Sequence, residues 1–157
     1  MNCIYVSEMF RSVGLETEIL TPFACGSMTK LFSKDLANEC FKQGKIVFFA
    51  GGTGHPYFST DTGAVLRAIE IEADCILGAK AIDGVYDSDP AVNPNAKKYD
   101  ELPISKIVDD RLGVIDLAAS VLAMENKMPM LLFGLNEEDS INKAVSGEKI
   151  GTKITVE

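Results

Sequence analysis

The sequence has no tryptophan, one histidine and no closely paired cysteines among its 157 residues. A structural zinc site needs cysteines or histidines in close pairs, so neither structural zinc nor a disulfide framework is indicated, and no metal-ligating residue is predicted. The four cysteines are expected to be reduced thiols, most of them buried. They are Cys3, Cys25, Cys40 and Cys75.

Positive charge is also scarce, because 15 Lys and Arg residues stand against 23 Asp and Glu residues and give a net charge of -8. Such a chain repels nucleic acid and anionic membrane surfaces. No apolar run approaches the length that crosses a bilayer, and the first residues do not form a signal peptide. We expect a cytoplasmic protein without nucleic-acid or membrane partners, and any phosphate-bearing partner must be small.

Apolar segments are spread along the whole chain, and 46% of the residues are hydrophobic. This length is typical of one compact domain, so residues 1–157 are expected to form a single domain. Periodicity and turn residues predict helices over 2–13, 30–42 and 62–72, and strands over 17–23, 45–50, 75–80, 129–135 and 152–156. Apolar strands separated by helices are typical of an α/β fold: a mostly parallel open sheet flanked by helices on both faces, in three layers. Residues 83–103 are expected to be a long loop without regular structure.

The glycine cluster "GGTG" at residues 51–54 directly follows the predicted strand 45–50. In open parallel sheets, ligands bind beyond the carboxyl ends of the strands. Glycines let backbone N–H groups approach a phosphate, and the following helix N-terminus adds a favourable dipole. The pattern GxGxxG would need glycine where Tyr57 stands, and GxxxxGK[ST] is absent, so the turn is neither Rossmann nor P-loop. It indicates either a small anion site or a plain tight turn before a helix cap.

Two aspartates lie at positions where a carboxylate needs a partner. Asp61 would cap the helix 62–72, which contributes ~1 kcal/mol and needs no function. Beside a phosphate its charge is repulsive unless magnesium or lysine lies between. Asp116 shares a helical face with the apolar residues of 112–123, where an inward carboxylate is costly alone. Either backbone donors or Arg111 satisfy it, or it orients a lysine or metal.

These features occur together in one known family. The segments "GGTGHPYFSTDTGAVLRAIEIEAD" and "AKAIDGVYDSDP" resemble the bacterial uridylate (UMP) kinases of the amino acid kinase superfamily. The resemblance continues through "NPNAKKYDELP", "VIDLAASVLAMENKMPMLLFGLN" and "GEKIGTKI", and covers essentially the whole chain from about Asn2. It implies an amino-acid-kinase-like fold and transfer of the ATP γ-phosphate to UMP in pyrimidine nucleotide biosynthesis, with ATP and Mg²⁺ as cofactors.

The resemblance also implies roles for individual residues. Asp61 and Asp116 correspond to two acidic residues that organise the catalytic centre. Tyr86 and Asp89 match ATP contacts, and Lys80 stands where the family often has a threonine or asparagine nucleotide contact; a solvated lysine is the simpler alternative. The UMP-binding loop corresponds to Gly52, Thr53, Gly54, His55, Pro56, Tyr57, Phe58, Ser59 and Thr60. Its two aromatic residues would lie beside the base, or else pack in a core.

The chain also departs from the family pattern. Family members begin with a strand, a glycine turn and a lysine for the ATP phosphates, and this sequence does not contain them. Because phosphoryl transfer depends on positioning and charge stabilisation, we expect a C-terminal part of a UMP kinase with weak or no activity alone. His55 stands where asparagine is common, and no base role is expected for it. The segment "DGVYDSDP" is not a calcium loop, because the required glycine and glutamate are out of register.

Two other functions stay open at this point. One is a non-catalytic nucleotide-binding or assembly module of the same fold, which would keep the UMP loop without transferring phosphate. The other is a kinase of the same superfamily with a carboxylate or carbamate acceptor, which the aromatic and hydroxyl residues of the loop make less suitable. As partners, the resemblance implies UMP and ATP, GTP and UTP as effectors, and a homo-oligomer, typically a hexamer.

Overall fold

The computed structural model describes residues 1–156. The chain divides into two compact units, Met1–Ile71 and Glu72–Glu157. The helices are α1 (Asn2–Ser12), α2 (Lys34–Lys42), α3 (Thr60–Glu70), α4 (Ile104–Asp109), α5 (Leu117–Glu125) and α6 (Ser140–Val145). The strands are β1 (Thr17–Thr21), β2 (Lys30–Leu31), β3 (Ile46–Phe49), β4 (Ile76–Lys80), β5 (Glu101–Pro103), β6 (Met130–Gly134) and β7 (Thr152–Thr155).

The first unit is built on a three-stranded sheet in the order β2-β1-β3, in which both strand pairs are parallel. The central strand β1 carries Ile19 and Leu20, which are almost fully buried, as expected for a strand covered on both faces. Helix α1 packs on this sheet, with the ring of Phe10 edge-on to Phe48 at 5.6 Å between centroids. The carboxyl end of β3 leads directly into the glycine cluster.

The predicted helix over 30–42 is wrong in its first residues. Residues 30–31 pair with β1 as strand β2. Helix α2 begins only after Ser33, whose hydroxyl accepts a backbone N–H of the first turn at 3.2 Å, because that bond satisfies a donor the helix itself leaves open. Phe32, expected on the helix face, instead lies beneath Arg67, whose guanidinium carbon is 4.0 Å from the ring centroid.

The second unit contains a four-stranded sheet in the order β4-β6-β7-β5. Strands β4 and β6 are parallel, as are β5 and β7, whereas β6 and β7 run antiparallel. Leu132 of β6 and Ile154 of β7 are fully buried in its core. The α/β class with open, mostly parallel sheets flanked by helices is therefore confirmed, although the described strands form two sheets, one in each unit.

Two predictions for the second unit need correction. Residues 83–103 do have regular structure, since they end in β5 and an antiparallel bridge joins Tyr86 to Lys98. The helical face expected over 112–123 begins too early, because α5 starts only after Asp116, which is its N-cap. The apolar residues before Asp116 therefore belong to a connecting segment between α4 and α5.

Three further expectations have different outcomes. All four cysteines are free thiols, but only Cys40 is buried and both Cys25 and Cys75 are exposed, so the prediction of mostly buried cysteines is wrong. Among residues 1–156, no helix is both long and apolar enough to span a membrane. The cytoplasmic location and the single-domain organisation stay predictions.

Candidate functional site

The first candidate region is the glycine loop, residues 51–60, which leaves the carboxyl end of β3. Three of its glycines have left-handed backbone, with φ of +87° at Gly51, +59° at Gly52 and +80° at Gly54. A Cβ on Gly54 would lie 2.8 Å from Cβ of Pro22, closer than side-chain atoms approach. Both the backbone conformation and the space therefore require glycine at residue 54.

Helix α3 closes against this loop through another glycine. A Cβ on Gly63 would lie 2.9 Å from Cα of Gly52 and 3.2 Å from the backbone nitrogen of Thr53. The first turn of α3 thus touches the backbone of the glycine loop directly. This close approach places the positive end of the helix dipole beside the loop, which favours an anionic ligand there.

Most residues of the glycine loop are exposed to solvent. Tyr57 is fully exposed with a left-handed φ of +70°, and Phe58 is 55% exposed. Core packing, the simpler alternative for these two aromatics, is therefore wrong. The hydroxyl of Thr53 accepts the N–H of His55 at 3.2 Å, which closes the turn. Gly52 and Thr53 are half-buried, and the other residues of the segment, Pro56 among them, are exposed.

The start of α3 differs from the prediction. Ser59, not Asp61, is the N-cap, and its hydroxyl accepts the N–H groups of Asp61 and Thr62 at 3.1 and 3.3 Å. The helix consequently begins at Thr60, two residues earlier than predicted. Asp61 lies in the first turn, where the helix dipole favours its negative charge.

The second candidate region is the clasped loop, residues 83–99, in the second unit. Its two ends run side by side, since the N–H of Tyr99 donates to the carbonyl of Val85 at 2.8 Å and the N–H of Asp87 donates to the carbonyl of Lys97 at 3.1 Å. Beneath them the fully buried hydroxyl of Thr152 accepts the N–H of Val85 at 2.9 Å and donates to the carbonyl of Tyr99 at 2.5 Å. One buried hydroxyl therefore fastens both ends of the loop.

A cluster of three side chains adds to this clasp. Oδ1 of Asp83 accepts the hydroxyl of Tyr86 and Oδ2 accepts Nζ of Lys98, each at 2.8 Å. The hydrogen bond from Lys98 is the main cause that lowers the pKa of the Asp83 carboxyl, and the same bond raises the pKa of Lys98. The hydrogen bond to Asp83 also raises the pKa of Tyr86. At neutral pH the cluster is thus a carboxylate held between an ammonium and a phenol.

Tyr86 and Asp89 line a cavity of about 470 Å³, a volume suited to a small-molecule ligand. The connecting segment 110–114, which follows α4, forms the other wall. Three carboxylates and the guanidinium of Arg111 are the charged groups of the lining. The lining is formed by Ile82, Gly84, Val85, Tyr86, Asp87, Ser88, Asp89, Pro90, Asp110, Arg111, Leu112, Gly113 and Val114.

The other residues predicted for the site have clear structural positions. Oδ1 of Asp89 accepts the N–H of Ala91 at 2.9 Å and so shapes the loop. Oδ1 of Asp116 accepts the N–H of Ala119 at 2.9 Å, which satisfies the backbone-donor alternative. Lys80 ends β4 and is not part of the cavity lining. The nucleotide-binding and catalytic roles of these residues stay predictions.

Sequence reasoning missed the residues that fasten the clasped loop. Asp83 opens the segment "DGVYDSDP", from which no role for it is predicted, and its partner Lys98 lies 15 residues away along the chain. Thr152 is 53 residues from Tyr99, its acceptor. No periodicity links positions so far apart, and the only local signal was the Asp-Gly pair that opens the motif.

The family resemblance implies a bound magnesium ion, which needs carboxylate or phosphate oxygens as ligands. Within residues 1–156 no group of three or more His, Cys, Asp or Glu side chains could hold a metal ion alone. Magnesium, however, is usually bound by one or two carboxylates together with substrate phosphates and water. Single carboxylates such as Asp61 and Asp116 fit that mode of binding.

With an open α/β fold and these two regions described, the class of the protein follows from comparison with known families. A profile of the amino acid kinase family matches residues 1–134, which is most of the chain. The chain therefore belongs to the amino acid kinase family, and it has a kinase fold.

Solved structures narrow the likeness to UMP kinases. The UMP kinase from Bacillus anthracis is 34% identical, with a TM-score of 0.88, and the match covers 97% of this chain and 65% of that one. The UMP kinase from Ureaplasma parvum is 30% identical, with a TM-score of 0.90 and coverage of 98% and 66%. The uridylate kinase from Archaeoglobus fulgidus is 28% identical, with a TM-score of 0.69 and coverage of 96% and 67%. The resemblance to UMP kinases is confirmed, and this chain spans about two thirds of the length of these proteins.

Proposed function

We propose that this chain carries the UMP-binding loop and the ATP-binding cavity of a UMP kinase. The reaction would be attack by a phosphate oxygen of UMP on the γ-phosphorus of ATP, with cleavage of the bond to the bridging oxygen and release of ADP. The observation that carries the proposal is the exposed glycine loop at the carboxyl end of a parallel strand, in a chain whose fold matches two UMP kinases.

The acceptor nucleotide is assigned to residues 52–60. Backbone N–H groups of the left-handed glycines and the hydroxyls of Thr53 and Thr60 would hold the phosphate and ribose of UMP. Tyr57 and Phe58 are exposed, so their rings are available to a pyrimidine base. The dipole of α3, brought close by Gly63, favours the phosphate charge.

The donor nucleotide is assigned to the cavity of the second unit. Tyr86 offers an aromatic ring to the adenine base, and Asp89 lies on the same wall. Lys80, at the end of β4, would reach toward phosphate from outside this lining. When bound, magnesium would neutralise phosphate charge during the transfer. Asp61 in the first unit or Asp116 in the second would each supply one carboxylate ligand, with phosphate oxygens and water as the others.

Isothermal titration of the 157-residue chain with UMP tests the acceptor site. We expect saturable binding that Gly54→Ala weakens at least tenfold, because a side chain there strains the left-handed backbone and meets Pro22. The matched control is Gly147→Ala, which has a similar φ of +75° but no atom within 4 Å of its added Cβ. If the unaltered chain does not bind UMP, or if both variants lose the same affinity, the proposed acceptor site is wrong.

A coupled assay of ADP release separates the two functions that share this fold. We propose that turnover by the 157-residue chain alone is weak or absent, since its sequence holds no glycine turn with a lysine for the ATP phosphates. Slow ADP release that depends on UMP would support a kinase with weak activity, whereas binding of UMP with no detectable ADP release would make the 157-residue chain by itself a non-catalytic nucleotide-binding module. ADP release dependent on UMP at a rate typical of enzymes, at least about 1 s⁻¹, would contradict the proposal of weak activity.

A further inference from the structure

Tyr86 lines the cavity, but its hydroxyl forms a hydrogen bond with another side chain of the protein. It donates to Oδ1 of Asp83 at 2.8 Å, while Lys98 donates to the other oxygen of the same carboxylate at an equal distance. Both acceptor oxygens of Asp83 are therefore engaged, one by each partner. What Tyr86 can offer to the cavity is its ring.

The backbone brings the three side chains together in a fixed arrangement. Tyr86 and Lys98 face each other across an antiparallel bridge, so their side chains emerge from neighbouring positions. The stem of Lys98 passes over Gly84, where a Cβ would lie 2.9 Å from its Cδ. Gly134 at the end of β6 lies close to Asp83, since a Cβ there would be 3.2 Å from Cα of Asp83. Because Gly84 and Gly134 have no side chains, there is space for this cluster.

We propose that Asp83 and Lys98 are positioning residues, which hold the ring of Tyr86 in the orientation that stacks on the base of the bound nucleotide. The inference rests on the proposed ATP site in this cavity. A ring that stacks on a base must be held at one angle, and a side chain anchored at its hydroxyl end loses less freedom on binding than a mobile one. Asp83 itself neither touches the nucleotide nor holds a metal ion in this assignment, because Tyr86 and Lys98 occupy its carboxylate.

The test compares two ligands, ATP and inorganic tripolyphosphate, which share the phosphates but differ in the base. Removing the ring with Tyr86→Leu should raise the Kd for ATP about fivefold or more. Asp83→Asn and Lys98→Met should raise the Kd for ATP several-fold, and Lys98→Arg should keep it near the value of the unaltered chain. None of these variants, Tyr86→Leu included, should change the Kd for tripolyphosphate by more than about twofold. A merely structural role would weaken both ligands together.

Asp100→Asn is the matched control, because it removes an ion pair of the same kind, Asp100 with Lys149 at 2.8 Å, outside the cavity lining. This variant should leave both affinities unchanged. If the unaltered chain does not bind ATP, the proposed ATP site is wrong. If it binds ATP and Asp83→Asn binds equally well, the ATP site stands and the positioning role is wrong.

A second measurement needs no nucleotide. In NMR spectra of the chain labelled in its tyrosine rings, the signal of Tyr86 is assigned by its disappearance in Tyr86→Phe. We expect Asp83→Asn and Lys98→Met to move that signal and Asp100→Asn to leave it in place. An unmoved Tyr86 signal in a folded Asp83→Asn variant would overturn the inference whatever the nucleotide data.

Discussion

The glycine loop and the clasped loop each carry residues assigned to a nucleotide, but different parts of the chain hold them in shape. The glycine loop takes its course from left-handed backbone at three glycines and at Tyr57, and most of its residues are exposed. The clasped loop is fastened by side chains, namely the Asp83 cluster and the buried hydroxyl of Thr152. A loop defined by its backbone depends on nearby sequence, whereas a loop defined by side-chain contacts depends on distant residues that the fold brings together.

The two loops also differ in the contacts that they can make with a ligand. The glycine loop presents backbone N–H groups and short hydroxyls, which suit a phosphate approached closely. The clasped loop uses Asp83, Asp87 and Asp89 to accept hydrogen bonds from its own groups. Of these three, Asp87 and Asp89 line the cavity, where they shape its wall, and the ring of Tyr86 offers a contact surface beside them.

The largest effect is expected where one buried hydroxyl fastens two strands of the clasped loop. Thr152→Val leaves the N–H of Val85 and the carbonyl of Tyr99 without partners, and should lower the free energy of unfolding by about 2–4 kcal/mol. Urea unfolding followed by circular dichroism measures this loss. The control is Thr155→Val on the same strand, whose hydroxyl donates at only 3.4 Å to Leu102 and should matter little. Equal losses in the two variants would mean that Thr152 does not fasten the loop.

An intermediate effect is expected where the glycine loop meets α3. In Gly63→Ala the added methyl group meets the backbone of Gly52, and overpacking of this kind costs about 1–3 kcal/mol, partly offset by the better helix propensity of alanine. The loop must shift, so affinity for UMP should fall about tenfold in calorimetry. Gly113→Ala, where no atom lies within 4 Å of the new methyl group, should change neither quantity. Normal UMP affinity in Gly63→Ala would show that the loop tolerates displacement and that its close contact with α3 is not required.

The smallest effect is expected at low pH, which should weaken the Asp83 cluster of the clasped loop and leave the glycine loop unaffected. Because the pKa of Asp83 is lowered in the folded chain, chiefly by its hydrogen bond from Lys98, its contribution to stability is present above roughly pH 4 and is lost as the pH falls through the lowered pKa. Lys98 has a raised pKa, so its contribution is lost only as the pH rises through that value, in strongly alkaline solution.

Asp83→Asn should therefore flatten the acid limb of the stability curve measured by urea unfolding between about pH 2 and pH 6. Asp100→Asn serves as the comparison, since Asp100 has a pKa lowered by Lys149 but both groups are exposed and screened by solvent. An acid limb unchanged by Asp83→Asn would mean that the Asp83 cluster contributes nothing measurable to the fold.

Much of the fold could be predicted because its signals are local. The apolar segments around 17–23, 45–50 and 129–135 are strands with slightly shorter bounds, since hydrophobic runs bounded by turn residues report a buried strand directly. Helix starts were predicted less well, because both Ser33 and Ser59 take the capping position, two or more residues from where periodicity placed it. Caps depend on single side-chain bonds that hydrophobic periodicity does not register.

The candidate site was predicted unevenly for the same reason. The glycine loop and Asp61 were found because strand, turn and helix follow one another in sequence. The cavity was only half found: Tyr86 and Asp89 were named, but the opposite wall around Arg111 was assigned to a helix that begins later. Thr152 and Lys98 lie in segments that resemble the family, but no role was predicted for them, because their partners lie far away along the chain.

The sequence by itself determined the α/β class, the glycine turn after β3 and the family likeness, because each depends on residues that are neighbours in the chain. Only the tertiary structure decided that Asp83, Tyr86 and Lys98 form one cluster, that Thr152 lies beneath both ends of the same loop, and that Tyr57 and Phe58 are exposed. The physical reason is that a hydrogen bond between distant residues exists only once packing has brought them within about 3 Å, and local propensity carries no information about that distance.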